Sequence, residues 1–146
     1  MTVSPLRFDL ARLEERLGER RFRRAESYAE RGYVRLIAIE SRTVCALVSG
    51  ESGSTYAVEL DEDGAGACTC PDFGETTACK HLGAVALIAD GLDLASARTL
   101  NGRIARLKDS LAFEDAEGLR RLIVALAKRT PGVLEALEGE GEDGGD

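Results

Sequence analysis

Cys68-Thr69-Cys70-Pro71-Asp72-Phe73-Gly74-Glu75-Thr76-Thr77-Ala78-Cys79-Lys80-His81 is the stretch around which the rest of the chain has to be organised. It holds two close pairs, Cys-x-Cys and Cys-x-His, with eight residues between them. A tetrahedral metal site needs this kind of arrangement. Each pair supplies one edge of the tetrahedron, and the intervening loop wraps the ion to bring the edges together. Thiolate and imidazole donors suit Zn²⁺, at about 2.3 Å to sulfur and about 2.0–2.1 Å to nitrogen. The chain has four cysteines and one histidine, and only Cys45 stands outside the cluster. Two tight pairs drawn from so few residues are poorly explained as ordinary buried thiols near a surface histidine. The candidate ligands are Cys68, Cys70, Cys79 and His81, around one structural zinc ion.

Upstream of the cluster the hydrophobic period is that of strands. Residues 33–39, 43–48 and 55–60 are short, rich in β-branched side chains and bounded by turn residues. Val44, Ala46 and Val48 share one face, as do Tyr56, Val58 and Leu60. Gly50-Glu51-Ser52-Gly53 and Asp61-Glu62-Asp63-Gly64 read as hairpin connections. A short fourth strand over about 65–69 leads into Cys68, giving a small antiparallel meander. Cys45 falls on the second strand beside Leu47, where a buried inert thiol is expected.

On either side the period becomes helical. Ser4-Pro5 reads as a helix start, with Leu10, Leu13 and Leu17 at helical spacing and Gly18 as a break. A second helix is expected over about 20–31, with Phe22, Ala25 and Ala29 on one face and Gly32 as its cap. After the first cysteine pair, Thr77 reads as the N-cap of a helix with Leu82, Val85, Ala86 and Ala89 in a stripe ending near Gly91. The second ligand pair would then sit on that helix's first turn, so a metal would tie sheet to helix. Further helices are expected over about 95–110, 115–129 and 131–138. The expected class is α+β, in four parts: an N-terminal helical segment (1–32), the meander with its zinc module (33–91), a C-terminal helical segment (92–138) and a disordered acidic tail (139–146).

With 146 residues the chain is large enough for one domain with a real core. No stretch approaches the length of a membrane span, and the N-terminus lacks a basic start followed by an apolar run. The expected address is cytoplasmic, with no membrane partner. Net charge is −7, unevenly spread: residues 43–79 carry seven acids and no Lys or Arg. Arg20, Arg21, Arg23 and Arg24, around Phe22 and joined by Arg31 and Arg35, form the best candidate patch for neutralising phosphates, with Phe22 as a base-stacking candidate. Glu19 and Glu26 flank that run, and Phe22 also fits the apolar stripe of its helix. A second candidate surface lies on Leu119, Leu122, Ile123 and Leu126 with Val133, Leu134 and Leu137, rows expected to pack on each other and on the sheet.

Cys68-Thr69-Cys70-Pro71-Asp72-Phe73 followed by Cys79-Lys80-His81-Leu82 resembles the SWIM zinc finger, whose pattern is C-x-C, a variable loop, then C-x-H. Tyr28, Gly32-Tyr33-Val34, Val48-Ser49-Gly50 and Tyr56-Ala57-Val58 are similar to the lead-in of small stand-alone bacterial members. The resemblance covers about residues 22–90, and Ala25 departs from a glycine found in many relatives. It implies a zinc-binding module that contacts DNA or proteins, of the kind found beside helicase-like remodelling ATPases, in transposases and in recombination accessory factors. The chain carries no G-x-x-x-x-G-K-[ST] loop, so service to such an ATPase would be as a separate subunit. Four good ligands close the metal shell, and the one histidine is already used, so no enzyme and no small-molecule substrate are expected. The expected role is an adaptor acting through a protein partner. Two alternatives stay open: direct nucleic-acid binding through the arginine helix, and an iron–sulfur protein of the CDGSH type. The latter shares C-x-C-x₈-C, but its histidine stands four residues after the last cysteine.

Overall fold

The structure, a computed structural model, describes the backbone of residues 5–143 and the side chains of residues 5–139. Its elements are α1 (Leu10–Leu17), α2 (Glu19–Glu30), β1 (Val34–Glu40), β2 (Thr43–Ser49), β3 (Thr55–Asp61), β4 (Gly66–Cys68), α3 (Pro71–Thr76), α4 (Lys80–Ala89), α5 (Leu94–Leu111), α6 (Ala116–Arg129) and α7 (Val133–Asp143). The fold is α+β: N-terminal helices, a four-stranded antiparallel sheet in the order β1-β2-β3-β4, and C-terminal helices. One compact unit ends at Ala105 and the second begins at Arg106. No helix among the described residues is long and apolar enough to cross a membrane.

The meander follows from alternation. Val44 pairs with Leu60, Ala46 with Val58 and Val48 with Tyr56, so one face of β2 and β3 is apolar along its length. Ile39 of β1 and Cys68 of β4 add to the buried set. Cys45 lies on the opposite face, where it pairs with Glu59. It is half-buried there rather than fully buried, and its thiol is pushed up by desolvation, then by Glu59 and Glu40. The β1–β2 connection is the two-residue turn Ser41-Arg42, both at positive φ (50° and 67°), which matches strand twist although neither residue is glycine. At Gly66 the close approach of strands decides the residue. A Cβ there would stand 2.0 Å from the Glu59 carbonyl oxygen, so β4 can pair with β3 only without a side chain at that position.

α4 lies against the sheet and is covered on its other side by α1 and α2. Its Leu82, Gly83, Ala84, Val85, Ala86 and Ala89 are all buried, as expected of a helix that is apolar all round. Gly83 is the point of closest packing. A Cβ there would come within 2.8 Å of the Ala25 Cβ and 2.9 Å of Leu17 Cδ1. Leu13 and Leu17 of α1 with Phe22, Ala25 and Tyr28 of α2 complete this layer, and burial of these side chains is the main source of its stability.

The N-terminal helix starts later than Ser4-Pro5 suggests. Ser4 lies outside the described residues, and Pro5 is not helical; α1 begins at Leu10, capped by the Asp9 carboxylate accepting from the Arg12 N–H at 3.0 Å. Tertiary bonds explain the delay. The Phe8 N–H donates to Asp90 (2.9 Å), the Gly91 N–H to the Leu6 carbonyl (3.0 Å) and the Arg7 N–H to Glu62 (2.9 Å). These bonds hold residues 6–8 across the end of α4 and bury Leu6 and Phe8. In the second unit, α6 is capped by Asp115, whose carboxylate accepts from the Gly118 N–H at 2.7 Å. Of the apolar rows expected to be covered, Leu122, Ile123, Leu126, Leu134 and Leu137 are exposed, while Leu119 and Val133 are half-buried. α7 carries helical backbone through Asp143, into the segment expected as a disordered acidic tail; residues 144–146 lie outside the described residues.

Candidate metal centre

Cys68 ends β4, opposite Val58 of β3. One residue on, Thr69 continues the ladder with both its groups: its N–H donates to the Ala57 carbonyl (3.1 Å), and its hydroxyl oxygen accepts from the Ala57 N–H (3.0 Å). Cys70 is therefore delivered from a held strand end. It caps α3, its sulfur accepting from the Phe73 N–H at 3.4 Å, with Pro71 in the first helical position. α3 is a short helix where the sequence reads as a loop. Its signals are present in Cys70-Pro71-Asp72, but a cysteine is not an ordinary N-cap, and six residues carry too little periodicity.

Thr77, read as a helix N-cap, instead closes α3 in the left-handed region at φ 55°. That reversal, with the Thr77 N–H donating to the Phe73 carbonyl at 2.8 Å, turns the chain back toward β4. The N-cap of α4 is Cys79 itself, and His81 stands on the first turn. The two pairs thus come from a strand end running into a helix start, and from a second helix start.

All four donor residues are buried, and their ligand atoms lie within 4.8 Å of one another. The His81 Nδ1 is 3.6 Å from the Cys68 Sγ. A tetrahedron with zinc-like bond lengths has a sulfur–nitrogen edge of about 3.6 Å, the separation this pair already has. His81 is only 2% exposed, and its Nε2 is buried with no hydrogen-bond partner among the described residues. Tyr28 and Tyr56 flank the ring at 5.6 and 4.9 Å between centroids, holding its orientation. The donor set therefore fits a metal ion, with His81 facing it through Nδ1.

Electrostatics point the same way. The Cys79 thiol is pulled down to about 4, first by the hydrogen bond from Cys68 and then by those from His81 and the Leu82 N–H, against its burial. Cys68 is pushed up, first by Cys79 and then by burial. Burial is the main cause raising Cys70. One thiolate forms readily and its two neighbours resist, which is the state a dication relieves.

One ion pair and one set of arginine-to-carbonyl hydrogen bonds brace the loop from outside; sequence reading gives Arg21 a role only as a phosphate candidate and Arg16 none. The Arg21 guanidinium takes Asp72 with both ends, Nε at 2.9 Å and Nη2 at 3.1 Å, joining α2 to α3. Arg16 of α1 donates to the Thr77 carbonyl at 3.0 Å and also to the Gly64 carbonyl in the β3–β4 turn. Only the spatial meeting of distant segments shows such pairs, so no sequence motif could have found them. Lys80 stands 5.7 Å over the Tyr28 ring. A cleft of about 350 Å³ opens beside the ligands, lined among others by Arg24, Tyr28, Tyr56, Asp72 and Lys80.

Within the arginine run, Arg20 is exposed, Arg21 is held by Asp72, Arg23 pairs with Glu19 at 2.6 Å, and Arg24 faces Glu51 at 3.7 Å. Phe22 is buried in the core, so it is not presented to a base. Set against known proteins, the chain matches no family model, no curated protein and no solved structure.

Proposed function

We propose that this protein is a zinc-stabilised binding module of the SWIM type, acting as an adaptor through a protein partner, in association with DNA-handling machinery such as a helicase-like ATPase. The observation that carries the metal reading is the convergence of three thiols and one imidazole, all buried, within 4.8 Å. Zn²⁺ is the ion that this donor set suits best. Four protein ligands leave no open position for water, and this supports a structural rather than a catalytic ion. The ion would join the end of β4, the start of α3 and the start of α4 at one point.

A protein partner is favoured over direct nucleic-acid contact by charge. The zinc-bearing segment 43–79 has no basic side chain, and three thiolates would leave a zinc centre at about −1. Three of the four clustered arginines already face carboxylates.

Elemental analysis of protein purified without added metal tests the ion: one zinc per chain in a colourless protein is expected. Iron with visible absorbance would replace the zinc reading by the iron–sulfur one. Fluorescence-anisotropy titration with single- and double-stranded DNA at two salt concentrations tests the partner class. Flat curves are expected; binding that weakens steeply with salt would move the function to the arginine helix.

A further inference from the structure

The metal reading accounts for Nδ1 of His81 and leaves Nε2 without a role. Nδ1 faces the thiols, 3.6 Å from the Cys68 Sγ, so an ion bound there keeps the ring hydrogen on Nε2. A histidine on zinc almost always gives that second N–H a carboxylate, a carbonyl or a water to bond. In this chain Nε2 is buried, on a side chain only 2% exposed, and has no hydrogen-bond partner among the described residues. The same residue lines the cleft of about 350 Å³, together with Tyr28, Tyr56, Asp72 and Lys80.

The charges around the cleft decide what would meet that N–H. Glu51 faces Arg24 at 3.7 Å, and both oxygens of Asp72 are taken by Arg21. Asp72 is lowered first by the hydrogen bond from Arg21, and Lys80 acts on it only across space. The Lys80 ammonium rests instead over the Tyr28 ring. Lys80 and His81 stand on the first turn of α4, the end of a helix that favours an anion. A ligand with many negative charges is disfavoured, because a three-thiolate zinc centre carries about −1 and Glu51 and Asp72 also line the cleft. A single carboxylate on an aliphatic stem fits: one oxygen meets Lys80, the other meets Nε2–H, and the stem lies against the Tyr56 ring. We propose that this cleft takes a glutamate side chain from an acidic segment of the protein partner, whose carboxylate accepts hydrogen bonds from His81 Nε2 and Lys80. Nε2 is closed to solvent in the free protein, so Lys80 and Tyr56, both half-buried, turn aside as the glutamate enters. The site rests on the zinc and partner reading and names that partner's chemistry.

The chain has a single histidine, so the imidazole nitrogen NMR spectrum of the isotope-labelled full chain reports this residue alone. The spectrum of zinc-loaded protein is followed while a capped tetraglutamate peptide is added to millimolar concentration. In the free protein a metal-bound Nδ1 and a protonated Nε2 are expected. Two nitrogens that exchange one proton would overturn the zinc reading itself, and with it the donor assigned here. With the ion in place, the Nε2–H resonance should move downfield and saturate as the peptide is added, while a capped tetraglutamine peptide leaves it unmoved. Lys80→Gln should keep its zinc and bind tetraglutamate about tenfold more weakly, the loss of one charge-assisted bond. No shift, an equal shift with tetraglutamine, or undiminished binding by Lys80→Gln overturns the glutamate site. Zinc still present in the same sample would show that the metal reading survives that failure. A single-stranded oligonucleotide that shifts Nε2–H where tetraglutamate does not would overturn the site in favour of a phosphate ligand.

Discussion

α4 and α6 contain comparable apolar runs and end in opposite environments. In α4 the run from Leu82 to Ala89 is enclosed by the sheet on one side and by α1 and α2 on the other. In α6 the run from Leu122 to Ala127 keeps its large side chains in water. The contrast lies in the surroundings and not in apolar content. α4 starts at Cys79 and His81, whose ligand atoms lie within 4.8 Å of those of Cys68 at the end of β4 and Cys70 at the start of α3, so a shared ion would fix its first turn there. It also alternates large residues with Gly83, Ala84, Ala86 and Ala89, which lets neighbours approach closely, and only Leu87 and Ile88 of its apolar run stay half-buried. α6 has no such anchor, and Arg120, Arg121, Lys128 and Arg129 bracket its run with charge. Burial here is decided by where a helix is tethered and how closely its neighbours can come.

The most severe way to break the comparison is to remove the tether. Cys79→Ser takes away a proposed ligand that is fully buried within the cluster. Apparent binding energies of structural zinc are about 10–16 kcal/mol, against about 5–15 kcal/mol of net stability for a whole domain. The variant should purify without metal and lose the cooperative thermal transition of the first unit, followed by circular dichroism. Chelation of the wild type should reproduce the loss. Retained metal with an unchanged Tm would show that Cys79 is not a ligand and that α4 is placed by packing alone.

A gentler test truncates one leucine in each helix. Leu82 has no exposure, and Leu126 is 57% exposed. Leu82→Ala should cost about 2–5 kcal/mol, the usual range for a buried leucine whose cavity cannot close. Leu126→Ala should change the stability of the single chain by no more than about 0.5 kcal/mol. Paired denaturant titrations at low protein concentration measure both. Equal losses would mean that α6 is covered in solution, which would erase the contrast.

How far the sequence made these features legible differs between the same regions. The meander could be read because alternation in 43–48 and 55–60 leaves one apolar face, and a one-residue slip would expose it. The metal donors could be read because Cys-x-Cys and Cys-x-His are local patterns. What surrounds them was not legible. Thr77 read as a cap because threonine caps helices often, whereas here it reverses the chain between two helices. The late start of α1 depends on bonds to Asp90 and Glu62, far away in sequence. Arg16 carries no signal in the sequence and Arg21 reads there as a phosphate candidate; only folding brings Thr77 and Gly64 to the first and Asp72 to the second. The fate of α6 was misread for a related reason: an amphipathic row shows that a partner is wanted and not which partner is present.

The smallest expected effect concerns the strap that closes the first unit near Glu62. Its carboxylate lies 2.6 Å from the Arg42 Nη2 and accepts from the Arg7 N–H at 2.9 Å, fastening residues 6–8 beside the β3–β4 turn. The Arg42 hydrogen bond holds the carboxyl below its ordinary value; burial opposes this, and the Arg7 N–H assists. A folded-state value below the unfolded one means that the contribution is complete above the ordinary carboxylate pKa of about 4.3. It is lost as pH falls through the lowered folded value. Both groups are partly exposed, so solvent screening limits the effect to at most about 1 kcal/mol. Glu62→Gln keeps the shape and an acceptor for Arg42 while removing the charge. Its Tm should lie slightly below that of wild type at pH 7, and the gap should close as the pH is lowered toward 3. A gap that persists in acid would assign the strap to shape rather than charge. The anchoring of Leu6 and Phe8 would then rest on packing, as does the burial of α4.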